Sequence, residues 1–473
     1  MNGTAVGKLA MREKLAYGFG DLASVLYWQT FMLYFTFFYT DVFLIPASAA
    51  ATMFLVSRIW DGVNDPLMGL IADRTQTRWG KFRPYLLWLC LPFAIAGVLA
   101  FTVPDFGMTG KLIWAYATFI LIMMLYTAIN IPYTALLGVI SPDSAERTTV
   151  SSVKFIFAFS AGIIVSATLL PMVKAFGGGN DARGWQLSFV VYGIAAIVFF
   201  LIAFLGTKER VQPPKSQVHS IKKDLYELVT NKPWLILLAT TITFILFVAV
   251  RSSVTAHYFK YVIGSQELSL PFLKSREYPF ETLVSAFNTI GQIASLIGVL
   301  MVSWFAKKVG KKKAFIFIFL VAIVSTAAFF FMRADQLPLI FLFQITGSLT
   351  GGPLSVLIWA MYADTADYAE WKRGRRATGL VFSASTMSQK FGWAFGAFVA
   401  LNLMSQVGFE PNQEQTAESL KGLILLFSLI PAGMGVISTL LVLIYPLNER
   451  KVAEITTELQ ERRKAGDESV RTV

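Results

Sequence analysis

The chain has 473 residues, 55% hydrophobic and only 15% charged, with mean hydropathy +0.59 and formal net charge +12. A soluble domain carries about 25% charged residues, so this deficit excludes an ordinary globular protein and points to lipid as the solvent. The basic excess sits in short clusters between apolar runs, the positive-inside pattern and not a nucleic-acid-binding surface. A single cysteine, Cys90, and two distant histidines, His219 and His257, exclude a disulfide framework and a zinc site.

Twelve spans are predicted, at about 16–43, 47–72, 83–104, 111–139, 149–173, 186–206, 233–262, 281–306, 312–332, 337–363, 378–405 and 421–446. Several exceed the roughly 20 residues a helix needs to cross a bilayer, which allows tilt or kinks. Loops after the even spans carry far more Lys and Arg than loops after the odd ones. Both termini are therefore expected in the cytoplasm, in a multi-pass inner-membrane protein. The N-terminal stretch Met1–Lys14 is short and polar, so no cleavable leader is expected.

The basic stretch Gly206–Pro233 divides the chain into an N-terminal six-span half, 1–206, and a C-terminal one, 233–446. That leaves 207–232 as a cytoplasmic central loop and 447–473 as a cytoplasmic tail. Within the loop, Pro213 and Pro214 break the chain and Ile221–Val229 is predicted as a short surface helix. In the tail, Val452, Ile455 and Leu459 share one face of a charged helix, a cytoplasmic cover or membrane-surface element. The halves look like weak repeats. RTQTRWGKFRP after span 2 matches AKKVGKKKA after span 8, and SPDSAERTTV after span 4 matches ADTADYAEWKRGRRATG after span 10. Six plus six with matched loops suggests an all-α membrane protein of two bundles rocking about a central site.

Polar residues inside the spans mark that site. Span 1 contains YGFGDLASVLYWQ. Its Asp21 is either a helix N-terminal acid or a pocket acid, while Tyr27, Trp28 and Gln29 suit a sugar, whose apolar face lies on rings while amides take its hydroxyls. Span 2 contains Arg58, Asp61, Asn64 and Asp65. At about 100° per residue the three charges share a narrow sector with Asn64 on its flank. Each charge at mid-membrane costs roughly 2.5–3.5 kcal/mol, so this face lines an interior. Asp61 and Asp65 lie one turn apart, so their oxygens can converge on Na⁺ or share a proton. A structural Arg58–Asp61 ion pair is the alternative, but it leaves one carboxylate unmatched.

Span 4 places Thr127, Asn130 and Thr134 on one face with Tyr126 beside it, and Pro132 removes a helix hydrogen bond at that level. Such groups line a site or act as interhelical glue. Lys154 in span 5 lies near the cytoplasmic turn, where snorkelling accounts for it. Arg251 in span 7, with Ser252, Ser253 and His257, is a charged intruder with no evident partner, and Gly351–Pro353 in span 10 is an expected helix break. In span 11, Ser383, Thr386 and Lys390 repeat the i, i+3, i+7 spacing, and Lys390 is too deep to snorkel. It serves substrate or cation, or pairs with a span 2 carboxylate. No HExxH, Walker or GxSxG motif occurs, so active transport here has to draw on an ion gradient.

Taken together, KLAYGFGD (14–21), YTDV (39–42), RIWDGVNDPLMG (58–69), RWGKFRPYLL (78–87) and ADTADYAEWK (363–372) resemble the glycoside–pentoside–hexuronide cation symporters of the major facilitator superfamily. The resemblance spans essentially the whole chain. It implies the major facilitator fold, with 12 transmembrane helices in two six-helix bundles, and uptake of a saccharide coupled to Na⁺ or H⁺. Asp61, Asn64, Asp65 and Thr127 match the family's cation site. Asn130 falls where galactoside-binding members have an aspartate shared by sugar and cation, and Lys390 matches a lysine near both. Arg147, Asp364, Asp367 and Arg376 match cytoplasmic charges that latch the halves. The family's span 1 sugar-gripping aspartate falls at Val25, one turn from Asp21. Its pocket tryptophans fall at Thr134 and Ser355, and its span 5 arginine lies beside Lys154. The cation machinery is thus kept and the galactoside pocket is not.

The expected function is cation-coupled saccharide import, by a protein acting as a monomer in the lipid bilayer. The ligand set is Asp21, Gln29, Tyr126, Asn130, Thr134, Lys154, Ser355, Thr386 and Lys390. No cofactor is expected beyond the coupling ion, for which several converging oxygens favour Na⁺ over H⁺. A neutral pentoside fits as well as a uronate or sulfonated sugar. The rivals are a lysolipid or amphiphile carrier of the same fold and a membrane-embedded transferase using Asp61 and Asp65.

Overall fold

The computed structural model describes residues 9–141, 144–210, 229–268, 276–373, 378–455, 457–459 and 461. The surface helix expected at Ile221–Val229 falls almost wholly outside them. The N-terminal part of the chain forms α1 (Met11–Phe37), α2 (Ala47–Arg74), α3 (Arg83–Ala100), α4 (Met108–Val139), α5 (Ser144–Gly177) and α6 (Asp181–Gly206). Then come α7 (Lys232–His257), α8 (Phe280–Val309), α9 (Lys311–Ala328), α10 (Leu337–Arg373), α11 (Thr378–Gln406), α12 (Ala417–Phe427) and α13 (Leu429–Leu443). A π-helical turn continues α1 (Phe38–Val42) and another continues α7 (Tyr258–Ile263). A small antiparallel hairpin, Gln266–Leu268 with Arg276–Tyr278, precedes α8.

Nine helices among the described residues are long and apolar enough to cross a membrane. Helices α1, α2 and α11, of 27, 28 and 29 residues, also have spanning length at about 1.5 Å per residue. They carry the polar intruders: Asp21 on α1, Asp61, Asn64 and Asp65 on α2, and Lys390 on α11.

The chain packs as two compact units, one of Met1–Ser216, Ser253–Gln292 and Ala397–Gly422, the other of Gln217–Ser252, Ile293–Gly396 and Leu423–Val473. These units cut across the 1–206 and 233–446 division drawn from the spans. Within the first unit, one buried charge cluster, described below, ties the end of α1 to residues after Ser253 and to Asn412.

In the first unit, the YGFGD motif of α1 is a packing motif. Tyr17 stacks on Tyr133 of α4 with ring centroids 4.6 Å apart. Each hydroxyl donates to the other's carbonyl, Tyr17 at 3.1 Å and Tyr133 at 2.7 Å. A Cβ on Gly20 would stand 2.6 Å from the Tyr133 ring, so only glycine lets the helices approach this closely. Phe101 stacks on Trp185 and Phe189 of α6, which fills the core between α3 and α6. The Asn180 side chain accepts from Arg183 N at 3.1 Å and caps the start of α6.

The second unit is organised around Trp234, Phe315, Phe319, Tyr362 and Tyr445. Ile455 and Leu459 are buried in that same core, with Val452 packed against it, and Trp371 Nε1 donates to Glu458 at 2.6 Å. The tail is therefore a cover packed on its unit. The expected break at Gly351–Pro353 does not interrupt α10, which runs unbroken from Leu337 to Arg373.

Candidate functional site

Helices α2 and α4 bring Asp65 against Thr127. Asp61 is buried at 2% exposure and Thr127 at 3%. The Thr127 hydroxyl donates to Asp65 Oδ1 at 2.9 Å. Asn64 is half-buried, and its Nδ2 is enclosed with no hydrogen-bond partner among the described residues. Two carboxylates one turn apart, an amide and a hydroxyl are the ligand chemistry of a hard cation. No cluster of three or more His, Cys, Asp or Glu suited to a resident metal occurs among the described residues. Nothing is described of the Arg58 side chain, so the Arg58–Asp61 pair lies outside the described contacts.

A second polar region lies on α1. Val25, Trp28 and Gln29 are half-buried at i, i+3 and i+4, one face of the helix. Tyr126 of α4 stacks on Trp28 with centroids 5.4 Å apart. Tyr27, which the sequence grouped with Trp28 and Gln29, faces elsewhere: it is fully buried against Phe93 and Phe189. One turn back, Asp21 is buried with Lys154 Nζ 3.5 Å away, and that lysine also lies over the Tyr133 ring. Lys154 therefore has an internal partner, and snorkelling is not needed to explain it. Asn130 spends its Nδ2 on the Tyr126 carbonyl at 3.0 Å, within its own helix. Thr134, the next residue on that face, is exposed.

In the second unit, Ser355 and Lys390 are half-buried and Thr386 is exposed. The Ser383 side chain is outside the described set. Arg251 finds its partner here: Nη2 donates to Gln344 Oε1 at 3.0 Å, and the guanidinium lies over the rings of Phe329 and Phe427.

Residues 16–449 match the family model described as MFS/sugar transport protein. The chain is 37% identical over 442 residues to the inner membrane symporter YicJ of Escherichia coli (strain K12), covering 92% of this chain and 91% of that protein. It is 36% identical to the isoprimeverose transporter of Lactiplantibacillus pentosus, over 92% and 89% of the two chains. The putative glycoside/cation symporter YagG of Escherichia coli (strain K12) is 34% identical over 98% of each. The chain belongs to the glycoside–pentoside–hexuronide symporters of the major facilitator superfamily. Among solved structures, a point mutant of the nucleoside transporter NupG superposes with a TM-score of 0.66 at 12% identity, over 92% of this chain and 99% of that one. A bacterial homologue of the lysosomal transporter Spinster gives 0.64 at 13% identity, over 93% and 98%. These two likenesses show the fold alone. As a sugar transporter of this family the protein is not an enzyme, and the transferase alternative falls away.

Among the transporter's loop charges, Arg147 and Asp364 each have a partner within their own unit. Arg147 donates to the Ser141 carbonyl at 2.9 Å, and its neighbour Glu146 pairs with Lys14 at 2.7 Å. Asp364 takes both its bonds from Lys311 Nζ at 2.6 Å. Asp367 is half-buried, and Arg376 lies outside the described residues. The RWGKFRP turn grips Glu209, whose carboxylate accepts from the backbone N–H of Lys81, Phe82 and Arg83 at 2.8–3.0 Å. Next to it, Arg210 makes a two-pronged bond to Glu13, at 2.7 and 2.8 Å, which raises the guanidinium pKa further.

Sequence reasoning missed Glu13, Glu209 and Arg210, and it also missed a cluster around Asp41. The Asp41 carboxylate is fully buried and accepts from Lys260 Nζ at 2.8 Å and from the Tyr261 hydroxyl, with His257 Nε2 at 2.9 Å. Asn412 donates to the Asp41 carbonyl at 2.7 Å. The Nε2–H tautomer of His257 fits these surroundings, because Nδ1 is buried without a partner among the described residues. The YTDV motif offered the one available signal, an aspartate near the end of an apolar span.

Proposed function

We propose that this transporter couples inward movement of a cation, Na⁺ in preference to H⁺, to uptake of a neutral saccharide. The Thr127–Asp65 hydrogen bond beside buried Asp61 carries the cation reading, because it gathers oxygens of α2 and α4 where a proton needs only one base. Neutral cargo is supported by the Asp21–Lys154 pair, in which the lysine charge is already matched. Two of its relatives, an isoprimeverose transporter and a putative glycoside/cation symporter, agree with a saccharide. Cation binding neutralises the α2 face and orders it against α4. Linkage then requires cation and sugar to raise each other's affinity by one factor.

The test is uptake into proteoliposomes holding the full chain, with Na⁺ and H⁺ gradients imposed separately. The labelled panel is isoprimeverose, a methyl pentoside, a glucuronide and sulfoquinovose. Accumulation of a neutral member on an inward Na⁺ gradient, lost in Asp61→Asn, is the expected result. Accumulation on an H⁺ gradient alone recasts a span 2 carboxylate as the proton carrier. Preference for the glucuronide or sulfoquinovose refutes neutral cargo, and no accumulation under either gradient refutes the proposal as a whole.

A further inference from the structure

One polar face has no part in the cation and saccharide sites described so far. On α8, Ser285, Asn288 and Gln292 recur at i, i+3 and i+7, which places them on one side of the helix. Asn288 is buried and its Nδ2 reaches the Tyr34 hydroxyl of α1 at 3.4 Å, so this side of α8 turns toward α1. Gln292, one turn on, is half-buried. Its Oε1 lies 3.3 Å from the point where a Cβ on Gly162 would stand, and Gln29 Cδ lies 3.8 Å from the same point. Helices α1, α5 and α8 thus converge at Gly162, and the missing side chain leaves room for two carboxamides to meet there.

Neither carboxamide bonds to protein among the described residues. Both are half-buried, so their amides stay within reach of water or cargo. Gln29 is adjacent in sequence to Trp28, on the same half-buried face, and Trp28 carries the stacked Tyr126 ring. An aromatic surface beside uncharged groups that both donate and accept is the complement of a neutral sugar ring edged with hydroxyls.

We propose that Gln292 is a specificity-determining residue of the saccharide site, reading a sugar hydroxyl together with Gln29 across Gly162. This assignment rests on the saccharide-transport reading above. The sugar's apolar face lies on the Trp28–Tyr126 pair, and the two carboxamides select among hydroxyl patterns at its edge. Gly162 sets the room available, because a methyl there crowds the Gln292 amide at 3.3 Å while only touching Gln29. The competing role for Gln292 is glue between α1 and α8, which needs no cargo.

The probes are the four labelled saccharides of the uptake panel and the monodeoxy analogues of whichever one the wild type accumulates most. Gln292→Leu is expected to raise KM roughly tenfold with Vmax nearly unchanged, the loss of one well-placed hydrogen bond. Wild type should reject one deoxy analogue in particular, and Gln292→Leu should no longer distinguish it from the parent sugar. Gly162→Ala should raise KM several-fold, and Gln292→Asn should retain part of the discrimination. An unchanged KM and deoxy profile in Gln292→Leu, or a loss confined to Vmax, overturns the assignment and leaves Gln292 as interhelical glue. If Gln292→Leu does not reach the membrane, the profile of Gln292→Asn decides, and a wild-type profile overturns the assignment. A wild type that accumulates none of the four sugars overturns the transport reading itself, and this assignment with it.

Discussion

Thr127 has one hydroxyl proton, and it goes to Asp65 at 2.9 Å. Its lone pairs stay available to a cation while the proton holds the carboxylate in place. Thr127→Ser should therefore keep cation-stimulated uptake. Thr127→Val removes a hydrogen bond to a charged group, worth roughly 1.5–3 kcal/mol, and should raise the Na⁺ concentration for half-maximal uptake at least tenfold. Equal Na⁺ dependence in the two variants would remove Thr127 from the cation site. Arg251 is a different case. Its bond to Gln344 and its place between Phe329 and Phe427 make it a fastening within its own unit. The sequence shows a charge in a span but no partner, because Gln344 lies 93 positions away.

At the scale of elements, the π-helical turn at the end of α1 carries the buried Asp41 cluster of the first unit. It aims Asp41 at His257, Lys260 and Tyr261, and Asn412 meets the Asp41 carbonyl from a left-handed backbone conformation, φ 60°, that asparagine tolerates. Removing one partner of a buried ion pair costs about 3–5 kcal/mol, most of it the charge left behind. Asp41→Asn should lower the melting temperature clearly, and Asp41→Asn with Lys260→Met should recover part of the loss. The partly exposed pair Lys451–Glu454 is largely screened by water, and Lys451 also lies over the Trp371 ring, so Lys451→Met should shift stability by only about 1 kcal/mol. A thermal melt of the purified protein that ranks Lys451→Met with Asp41→Asn would refute the structural role of the cluster.

For the molecule as a whole, a coupling cation that binds only the folded chain must stabilise it, by about 2.7 kcal/mol at a hundredfold excess over Kd. Melting temperature should rise with NaCl and not with equal KCl, and the rise should vanish in Asp65→Asn. An equal response to both salts would speak against a sodium site.

The membrane class, the approximate spans and the polar face of α2 follow from local pattern alone. Lipid makes every intramembrane charge conspicuous, and the helical period puts Asp61 and Asp65 on one face whatever surrounds them. The family could be read for a related reason, since RIWDGVNDPLMG and RWGKFRP are contiguous stretches. Pairing across the fold was not legible in this way. That Lys154 answers Asp21, that Tyr27 turns into the core while Trp28 meets Tyr126, and that Gln292 comes beside Gln29 at Gly162 all depend on which helix covers which face. Hydropathy and periodicity report the solvent a helix face meets, whereas its covering neighbour is chosen by close packing between residues distant in the chain.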